Sequence, residues 1–184
     1  TWSASHLPLG RKFDAYEVAF SQGRTEFRSR YQQIEIQTVI SVSPEDDIEI
    51  RRLTLTNQSS RPRTLELTSY AEIVLLEPSA EISHPAFHNL FVKTEALVDA
   101  PVLLASRRAR AAGETPPWMF HMIVMPGGPA MQGVSFETDR ARFLGRGRTL
   151  AAPAALRAPG PLSGTVGAVL DPVFAIRRRF LLPP

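Results

Sequence analysis

The segment SFETDRARFLGRGRTL, residues 135–150, concentrates cationic side chains among small and acidic residues. Its four arginines are Arg140, Arg142, Arg146 and Arg148. A guanidinium group is planar and offers a fork of donors that matches vicinal hydroxyls, phosphates and carboxylates. The segment is therefore a candidate binding loop for a phosphate, a sugar or a nucleic acid. The alternative is a solvated hairpin in which Glu137 and Asp139 pair with the arginines, each pair contributing about 0–1 kcal/mol.

The other residues of this segment have types that would hold a loop in one conformation. Phe136 and Phe143 are predicted to anchor it to the neighbouring sheets. Gly145 and Gly147 permit positive φ and close approach of backbones. The string GRGR lacks the Gly-Lys-Ser/Thr ending of a nucleotide-binding P-loop. If the loop binds a ligand, the arginine side chains are expected to do so.

Four histidines are the remaining candidates for metal or proton chemistry. His84 and His88 are four residues apart, so a helix would place both imidazoles on one face. Pro85 lies between them, and the surrounding pattern indicates strand and loop, which argues against metal chelation. His121 lies in the apolar run WMFHMIV and is predicted to be a polar group of the core or of a domain-facing surface. We assign no metal and no cofactor.

Exposed aromatic rings are the usual platforms for protein–sugar stacking. The candidates are Trp2, Tyr16, Tyr31, Tyr70 and Trp118. Trp118 follows ETPP at the entry to a predicted strand, where its ring could be half exposed. We therefore place it with the four arginines as a candidate substrate-binding residue. The alternative is a core tryptophan that seals the edge of the fold, and the sequence favours that alternative.

No residue is assigned a catalytic role. Glycosidases use two carboxylates at defined separations, and acid clusters occur at 45–47 and at Glu137 and Asp139. The first cluster lies in a predicted turn, where its carboxylates are expected to cap backbone amides. Ser163 in LSGTVG lacks the flanking pattern of a nucleophile elbow. Asp171 precedes a proline and is predicted to be a turn residue.

The composition indicates a folded domain. The chain has 184 residues, of which 43% are hydrophobic and 21% charged, values typical of globular proteins. No apolar run approaches the roughly 20 residues that cross a bilayer, and the absence of cysteine excludes disulfides and thiolate metal sites. Of the 21 basic residues, only Lys12 and Lys93 are lysines, a bias that a GC-rich coding sequence would also produce. Eighteen acidic residues are interspersed, which argues against the single-sign field of a nucleic-acid binder.

Alternation of apolar and polar residues predicts β-strands through the first half of the chain. The strand segments are YEVAF, TEFRSRY, IEIQTVISV, IEIRRLTLTN and TLELTSYAEIVL. Turns are predicted at Ser21–Arg24 and Ser43–Asp47. In the fourth segment the alternation through Ile48 and Ile50 shifts by one residue before Leu53, which predicts a β-bulge at 51–52.

The second half continues the pattern in LFVKTEALV, VLLASRRAR, WMFHMIVM and GVSFETD, and no stretch of twelve or more residues has a capped helical stripe. Strands with one polar face, joined by short turns, indicate an antiparallel all-β fold of two large packed sheets. We predict one β-sandwich domain over residues 1–184. The abrupt first and last residues suggest an excised piece of a larger protein, with neighbouring strands outside the chain.

Several long segments occur in the order found in one known family. They are WSAS, YEVAFSQGRTEFRSR, SPEDDIEIRRLTLTNQSSRPRTLELTSYAEIVL, HPAFHNLFVKTE, ETDRARFLGRGR and PLSGTVGAVLDPVFAIRR. Together they resemble the β-sandwich domain of glycoside hydrolase family 94, from residue 2 to residue 179. The family contains cellobiose and chitobiose phosphorylases and the cyclic β-1,2-glucan synthases, and the wording is closest to the synthase branch.

The resemblance implies an antiparallel β-supersandwich similar to galactose mutarotase domains. In the family, an (α/α)6 barrel supplies the catalytic acid and the phosphate pocket, and this chain contains no helical repeat. The implied function is a non-catalytic scaffolding or carbohydrate-binding domain of a β-glucan synthase or phosphorylase. The chain alone is not expected to be an enzyme.

The implied partners are a β-glucan or oligosaccharide, the (α/α)6 catalytic domain and a second subunit in a homodimer. No nucleic acid and no direct membrane contact are expected. A cytoplasmic location is predicted. One alternative within this prediction is that the chain is a soluble part of an inner-membrane protein. Two other functions stay open, a stand-alone glycan-binding module and a structural or nucleic-acid-binding β domain; the latter predicts steeply salt-dependent DNA binding.

Overall fold

The computed structural model describes residues 1–97, 100–109, 111–126 and 133–184. Their strands are β1 (Ala15–Ser21), β2 (Arg24–Tyr31), β3 (Ile34–Val42), β4 (Glu49–Asn57), β5 (Arg63–Glu72), β6 (Val92–Ala96), β7 (Val102–Arg107), β8 (Trp118–Met122), β9 (Val134–Asp139) and β10 (Pro172–Leu182). The helices are α1 (Pro78–Ser83), α2 (Pro85–Asn89) and α3 (Arg140–Leu144), with a 3-10 turn at Ala154–Leu156. The predicted antiparallel all-β fold is confirmed. In these ranges no helix has the length and apolarity needed to cross a bilayer.

The chain divides into two compact units. Unit 1 contains Thr1–Leu65 and Phe180–Pro184, and unit 2 contains Glu66–Arg179. Strands β5 and β10 each pass from one unit into the other along the chain. The single domain predicted over residues 1–184 stays a prediction.

Unit 1 is built on one antiparallel sheet in the order β1-β2-β3-β4. Alternation along the strands gives this sheet an apolar face, on which Val18 lies opposite Phe27 and Ile36 opposite Leu55. On the other face, the carboxylate of Glu26 accepts hydrogen bonds from Arg28 and Gln37, which lower the pKa of that carboxyl. The period-2 pattern of the sequence therefore corresponds to one apolar and one polar face.

The β-bulge predicted at Arg51–Arg52 is wrong. Pairing between β3 and β4 runs without interruption from Ile34 opposite Asn57 to Val42 opposite Glu49. Because the register is continuous, Ile50 lies on the polar face and Arg51 on the apolar face. Strand β4 is at the edge of its sheet, and Ile50 is 58% exposed. In an edge strand, apolar and polar side chains can occupy either face of the sheet. The shift in the apolar–polar alternation therefore did not indicate a shift in strand pairing.

The turn at Ser43–Asp47 is present, but its hydrogen bonds differ from the prediction. The hydroxyl of Ser43 accepts hydrogen bonds from the amides of Glu45 and Asp46, at 3.3 and 3.1 Å. The capping acceptor is thus the serine that opens the turn and not the carboxylates that follow it. A serine hydroxyl is well suited to this local pattern because its oxygen reaches amides two and three residues on.

Unit 2 contains two three-stranded sheets, β5-β10-β9 and β6-β7-β8. Strand β9 pairs antiparallel with β10, and β7 pairs antiparallel with both β6 and β8. Their facing sides share one buried apolar cluster, formed by Ile73, Leu75, Val92, Leu103, Ala105, Phe174 and Ile176. Met119 and Phe136 pack against this cluster from β8 and β9. A hydrogen bond of 2.7 Å between the buried hydroxyls of Thr94 and Thr138 also joins the two sheets. This pair of packed sheets is a β-sandwich.

A second apolar cluster covers the opposite side of the β5-β10-β9 sheet. It contains Phe143, Leu144, Leu162 and Ala175, with Tyr70, Leu150 and Ala155 packed against it. Phe174 and Ile176 of β10 contribute to the first cluster, and the intervening Ala175 contributes to the second. Residues Pro172 to Arg178 are consequently buried without a break. Strand β10 therefore contributes side chains to both cores of unit 2.

Arg177 lies on the second-cluster side of β10 and is only 4% exposed. Its guanidinium donates to the carbonyls of Gly160 and Ala155, at 2.9 and 2.6 Å, and to the hydroxyl of Thr68, at 3.1 Å. Burial lowers the pKa of Arg177, and the charge of Glu66 partly offsets that effect. The buried arginine therefore joins the loop around residues 155–160 to the central strand.

Arg177→Ala should lower the free energy of unfolding by about 2–4 kcal/mol, because it removes three hydrogen bonds that a buried side chain makes to the loop and to Thr68. Arg179→Ala is the matched control, since Arg179 is an exposed arginine two residues away on the same strand. That control should change stability by less than about 0.5 kcal/mol. Urea denaturation of both variants measures the difference. Equal losses would show that the Arg177 hydrogen bonds do not hold the loop.

Candidate functional site

The arginine-rich segment does not form a hairpin. Strand β9 ends at Asp139, and the chain turns directly into the five-residue helix α3. The carboxylate of Asp139 accepts a hydrogen bond from the amide of Ala141 at 2.9 Å, which caps the start of the helix. Gly145 ends the helix, and its amide donates to the carbonyl of Ala141 at 2.9 Å. The segment is thus a capped helical turn followed by a glycine-containing loop.

Apolar side chains attach this turn to the sheet below it. Phe143 and Leu144 are 2% and 7% exposed within the second cluster. The ring of Phe143 packs against the ring of Tyr70 with centroids 4.9 Å apart. Phe136, on the other side of β9, packs against the first cluster. Phe136 on β9 and Phe143 within α3 therefore contact two different cores.

Gly145 occupies a conformation that other residues rarely adopt. Its backbone angles are φ 81° and ψ 156°, a region that is essentially restricted to glycine. A Cβ added there would lie 2.7 Å from the Cβ of Ala154. Gly147 also has positive φ, at 68°, but a Cβ added there would meet no atom within 4 Å. The first glycine permits a close backbone approach, whereas the second provides only the turn.

Arg140 is held in a network of carboxylates. Its Nε lies 3.2 Å from Glu72 and its Nη1 lies 3.3 Å from Asp171. Asp171 also accepts a hydrogen bond from Asn89 at 3.4 Å, and its carbonyl accepts one from the Arg140 amide at 3.0 Å. Asp171, predicted to be a simple turn residue, thus connects α2, α3 and the start of β10. The geometry gives Arg140 a positioning role within unit 2.

The other three arginines of the segment are exposed. Arg142 has a side chain that is 62% exposed, and its Nε lies 3.7 Å from the carboxylate of Asp139. Arg146 and Arg148 follow in the loop, and both are exposed. Among the residues that the structure describes, neither forms an ion pair within 4.0 Å. Two guanidinium groups consequently project from a loop whose backbone is fixed by α3 and Gly145.

Glu137 is not part of an ion pair with these arginines. It is 2% exposed, and one carboxylate oxygen accepts hydrogen bonds from the amides of Thr138 and Asp139, both at 2.9 Å. The other oxygen accepts hydrogen bonds from the hydroxyls of Ser163 and Thr165. Both oxygens are therefore committed to protein donors. Ser163, which lacks the elbow motif of a nucleophile, is one of those donors.

A small cleft lies between this carboxylate and the helix. Its volume is about 160 Å³, and Glu137, Arg142, Phe143 and Leu162 are among the residues that line it. Ligand sites for small molecules usually occupy about 300–1,000 Å³. The cleft is therefore smaller than a site that could enclose a sugar. A ligand held by this segment would have to bind on the outer surface, where Arg142, Arg146 and Arg148 are exposed.

Two of the histidines, His84 and His88, lie in other surroundings than the sequence pattern indicated. His84 is the residue before helix α2, and Pro85 is its first residue, a position where proline is favoured because no partner amide is lost. The prediction of strand and loop around His84 and His88 is therefore wrong. His121 lies 2.7 Å from the hydroxyl of Ser69 and stacks on Phe174. Among the described residues, no group of three or more potential ligands could hold a metal ion.

Trp118 does not lie with the arginines. On β8, Met119 and Ile123 pack against the first cluster, so Trp118, Phe120 and Met122 occupy the outer face of the β6-β7-β8 sheet. Helix α3 covers the far side of the β5-β10-β9 sheet. The two groups of candidate residues are thus on opposite sides of the layers of unit 2. The ring of Trp118 is 62% exposed, which contradicts the alternative that it seals the core.

Three structural side chains of this region were not found by sequence reasoning. Arg177 stands in the triplet IRRRF, where alternation alone gave no reason to bury a charge. Glu137 occupies an inward-facing position of β9, and its place in the alternation is the signal that could have identified it as a buried residue. By residue type Tyr70 is only a candidate sugar platform, whereas on β5 its ring packs against Phe143. Buried polar residues are recognised when their donors and acceptors are known, and those come from distant parts of the chain.

Residues 1–184 match the family described as "Glycosyl hydrolase 94, supersandwich domain". The chain is 36% identical over 182 residues to the cyclic beta-(1,2)-glucan synthase NdvB of Rhizobium meliloti (strain 1021), covering 99% of this chain and 6% of the synthase. It is 27% identical over 183 residues to the solabiose phosphorylase of Paenibacillus borealis, covering 100% of this chain and 22% of the phosphorylase. The chain thus spans a small fraction of the length of these relatives.

Gly145→Ala should destabilise the protein by about 2–4 kcal/mol, because it combines a disfavoured backbone conformation with a clash against Ala154. Gly147→Ala is the control, with the same sign of φ but open space for a Cβ. It should cost about 1 kcal/mol. Thermal and urea unfolding of the two variants give both values. A loss for Gly147→Ala as large as that for Gly145→Ala would contradict the close approach at Gly145.

Burial raises the pKa of Tyr70 to about 12, and the nearby carboxylate of Glu72 acts in the same direction. A folded-state pKa above the usual value of about 10 means that the stability contributed by Tyr70 is complete below pH 10. It is lost as the pH rises from 10 towards 12. In a near-ultraviolet titration, the tyrosinate signal removed by Tyr70→Phe should have a midpoint near pH 12. A midpoint near pH 10 for that component would show that the ring is solvated.

Proposed function

We propose a function for this chain from the premise that it belongs to the family of glycosyl hydrolase 94 supersandwich domains. The domain is a non-catalytic part of a β-glucan synthase or phosphorylase. It supports a catalytic domain in another part of the same protein and shapes the entrance to the active site. The names of the synthase and the phosphorylase that it resembles support the substrate class, a glucan or a glucoside.

The hydrogen bonds that the carboxylates of this region already accept support a non-catalytic role. A glycosidase acid must release its proton to the leaving group, and the second carboxylate must reach the sugar or a water. Both oxygens of Glu137 instead accept bonds from backbone amides and hydroxyls. Asp139 caps α3, and Asp171 binds Arg140 and Asn89. These acids of the arginine-rich region are used to hold the loop.

The observation that carries the proposal is that Arg146 and Arg148 are exposed on a loop that is attached to unit 2. The loop that bears them is attached by Phe143, by the Gly145 backbone and by the ion pairs of Arg140. A loop whose backbone is already held loses less conformational entropy on binding than a mobile one. The planar fork of a guanidinium matches vicinal hydroxyls, a phosphate or an acidic protein surface. In the enzyme, Arg146 and Arg148 bind substrate or the catalytic domain at the active-site entrance, Arg142 lies beside them, and Arg140 positions the loop.

The partners of the domain follow from this role. The catalytic domain is an (α/α)6 barrel, and its substrate is a β-linked glucan or oligosaccharide. The enzyme is located in the cytoplasm or on the cytoplasmic side of an inner-membrane protein, and it assembles as a homodimer. The charge pattern supports the absence of nucleic acid among the partners, because 18 acidic residues accompany 21 basic ones.

The test is the double variant Arg146→Ala/Arg148→Ala in the full-length protein that carries this domain. Loss of two charge-assisted contacts should reduce kcat/KM for the glucan by at least about tenfold. Arg11→Ala is the control, since Arg11 is also exposed but lies outside the loop, and its kinetics should be unchanged. Thermal melting checks that each variant folds. Wild-type kcat and KM in a folded double variant would refute the role of the loop.

A further inference from the structure

The outer face of the β6-β7-β8 sheet brings an aromatic platform next to polar side chains. The pairing places Trp118 opposite Ser106 and Ser106 opposite Lys93, so these three residues form one row across the sheet. The next row contains Phe120, Leu104 and Glu95. Their inward neighbours Met119, Leu103 and Thr94 belong to the interior of the sandwich. The rows therefore alternate with the core residues and face outward together.

Two aromatic rings of this face are accessible. Trp118 and Phe120 are 62% and 52% exposed, and residues i and i+2 of a strand are about 6.6 Å apart. The face of an aromatic ring is electron-rich and attracts the polarised C–H groups that line one side of a pyranose. Exposure of two such rings on a rigid strand is costly in water unless they serve a ligand or an interface. The strand thus offers two adjacent stacking positions.

The polar side of the face carries no net charge. The Nζ of Lys93 lies 2.9 Å from the carboxylate of Glu95, and both side chains are about half exposed. Together with the hydroxyl of Ser106 they provide donors and acceptors within two strands of the tryptophan. A paired lysine releases few counterions, so this face does not suit a nucleic acid. Mixed donors and acceptors beside a stacking ring suit a neutral polyhydroxylated ligand.

The size of the face favours an oligosaccharide over a protein partner. Three strands of about five residues cover roughly 14 by 17 Å, an area of about 240 Å². A stable protein–protein interface requires about 800 Å² on each partner. A short sugar chain does not need so large a surface, since a few stacked rings and hydrogen bonds hold it.

We propose that this outer face is a binding surface for a neutral β-linked gluco-oligosaccharide. Trp118 and Phe120 stack against sugar rings, and Lys93, Glu95 and Ser106 bind the hydroxyls. The choice of a glucan rests on the proposed function, whereas the surface itself rests on the geometry of β6, β7 and β8. Because the arginine loop lies on the other side of unit 2, this surface is a second site. It would hold the polymer away from the active-site entrance.

The fluorescence of Trp118 provides a direct test. The chain has two tryptophans, and Trp2→Phe leaves Trp118 as the sole emitter while keeping a ring against Tyr31, its partner at 5.1 Å. A linear β-1,2-linked gluco-oligosaccharide should produce a saturable blue shift of the Trp118 emission in this 184-residue protein. In calorimetric titrations, Trp118→Ala should weaken binding by about tenfold or more, and Trp118→Phe should retain part of the affinity.

Phe20→Ala is the matched control, because Phe20 is 80% exposed but belongs to the sheet of unit 1. Its affinity for the oligosaccharide should equal that of the wild type. No spectral response at millimolar sugar in a folded protein would overturn the proposal. The proposal would also be overturned if the protein bound no sugar but self-associated in sedimentation experiments, and if Trp118→Ala abolished that self-association. Such a result would identify the face as a protein interface. Either result would leave the kinetic test of the arginine loop unaffected.

Discussion

Burial of β10 on both faces is the constraint from which the arrangement of unit 2 follows. Phe174 and Ile176 fill the core between the two sheets, while Ala175 lies under helix α3. A strand can be buried in this way only if its backbone is paired on both edges, and β10 lies between β5 and β9. The strands on either side of β10 are then placed relative to one continuously buried strand. The buried guanidinium of Arg177 is accommodated because loop carbonyls and a threonine hydroxyl accept its hydrogens.

This layering separates the two surfaces that are proposed to bind ligands. The loop with Arg146 and Arg148 is built on one side of the β5-β10-β9 sheet, and the face with Trp118 is on the outer side of the β6-β7-β8 sheet. A sandwich is rigid because its interior is close-packed, so the distance between the two surfaces is set by two sheets. A domain of this kind can contact one partner on each side. It can hold them apart without bringing any reactive group to either.

The strands were predictable because period-2 alternation is produced directly by burial of one face, and each predicted segment overlaps a strand of the structure. The failures have physical causes. Edge strand β4 buries few side chains, so Ile50 and Arg51 could exchange faces at little cost. Helix α3 has five residues, too few for a helical stripe, and Pro85 indicates a breaker unless the start of α2 is known. For the candidate site, residue types identified the arginine loop. Which arginines are free depends on Glu72 and Asp171, which are distant in sequence.

Arginine content therefore has no single functional meaning in this chain. Arg177 is buried and structural, Arg140 is paired and positions a loop, and Arg146 is exposed on that loop. The sequence assigns all three the same charge and the same donors. What differs is the number of acceptors that the fold places around each, and a guanidinium whose donors are already used has little free energy left for a ligand. Whether an arginine of this domain can bind a ligand is thus decided by the acceptors around it. An arginine is available only where the fold places no carboxylate or carbonyl within reach of its guanidinium.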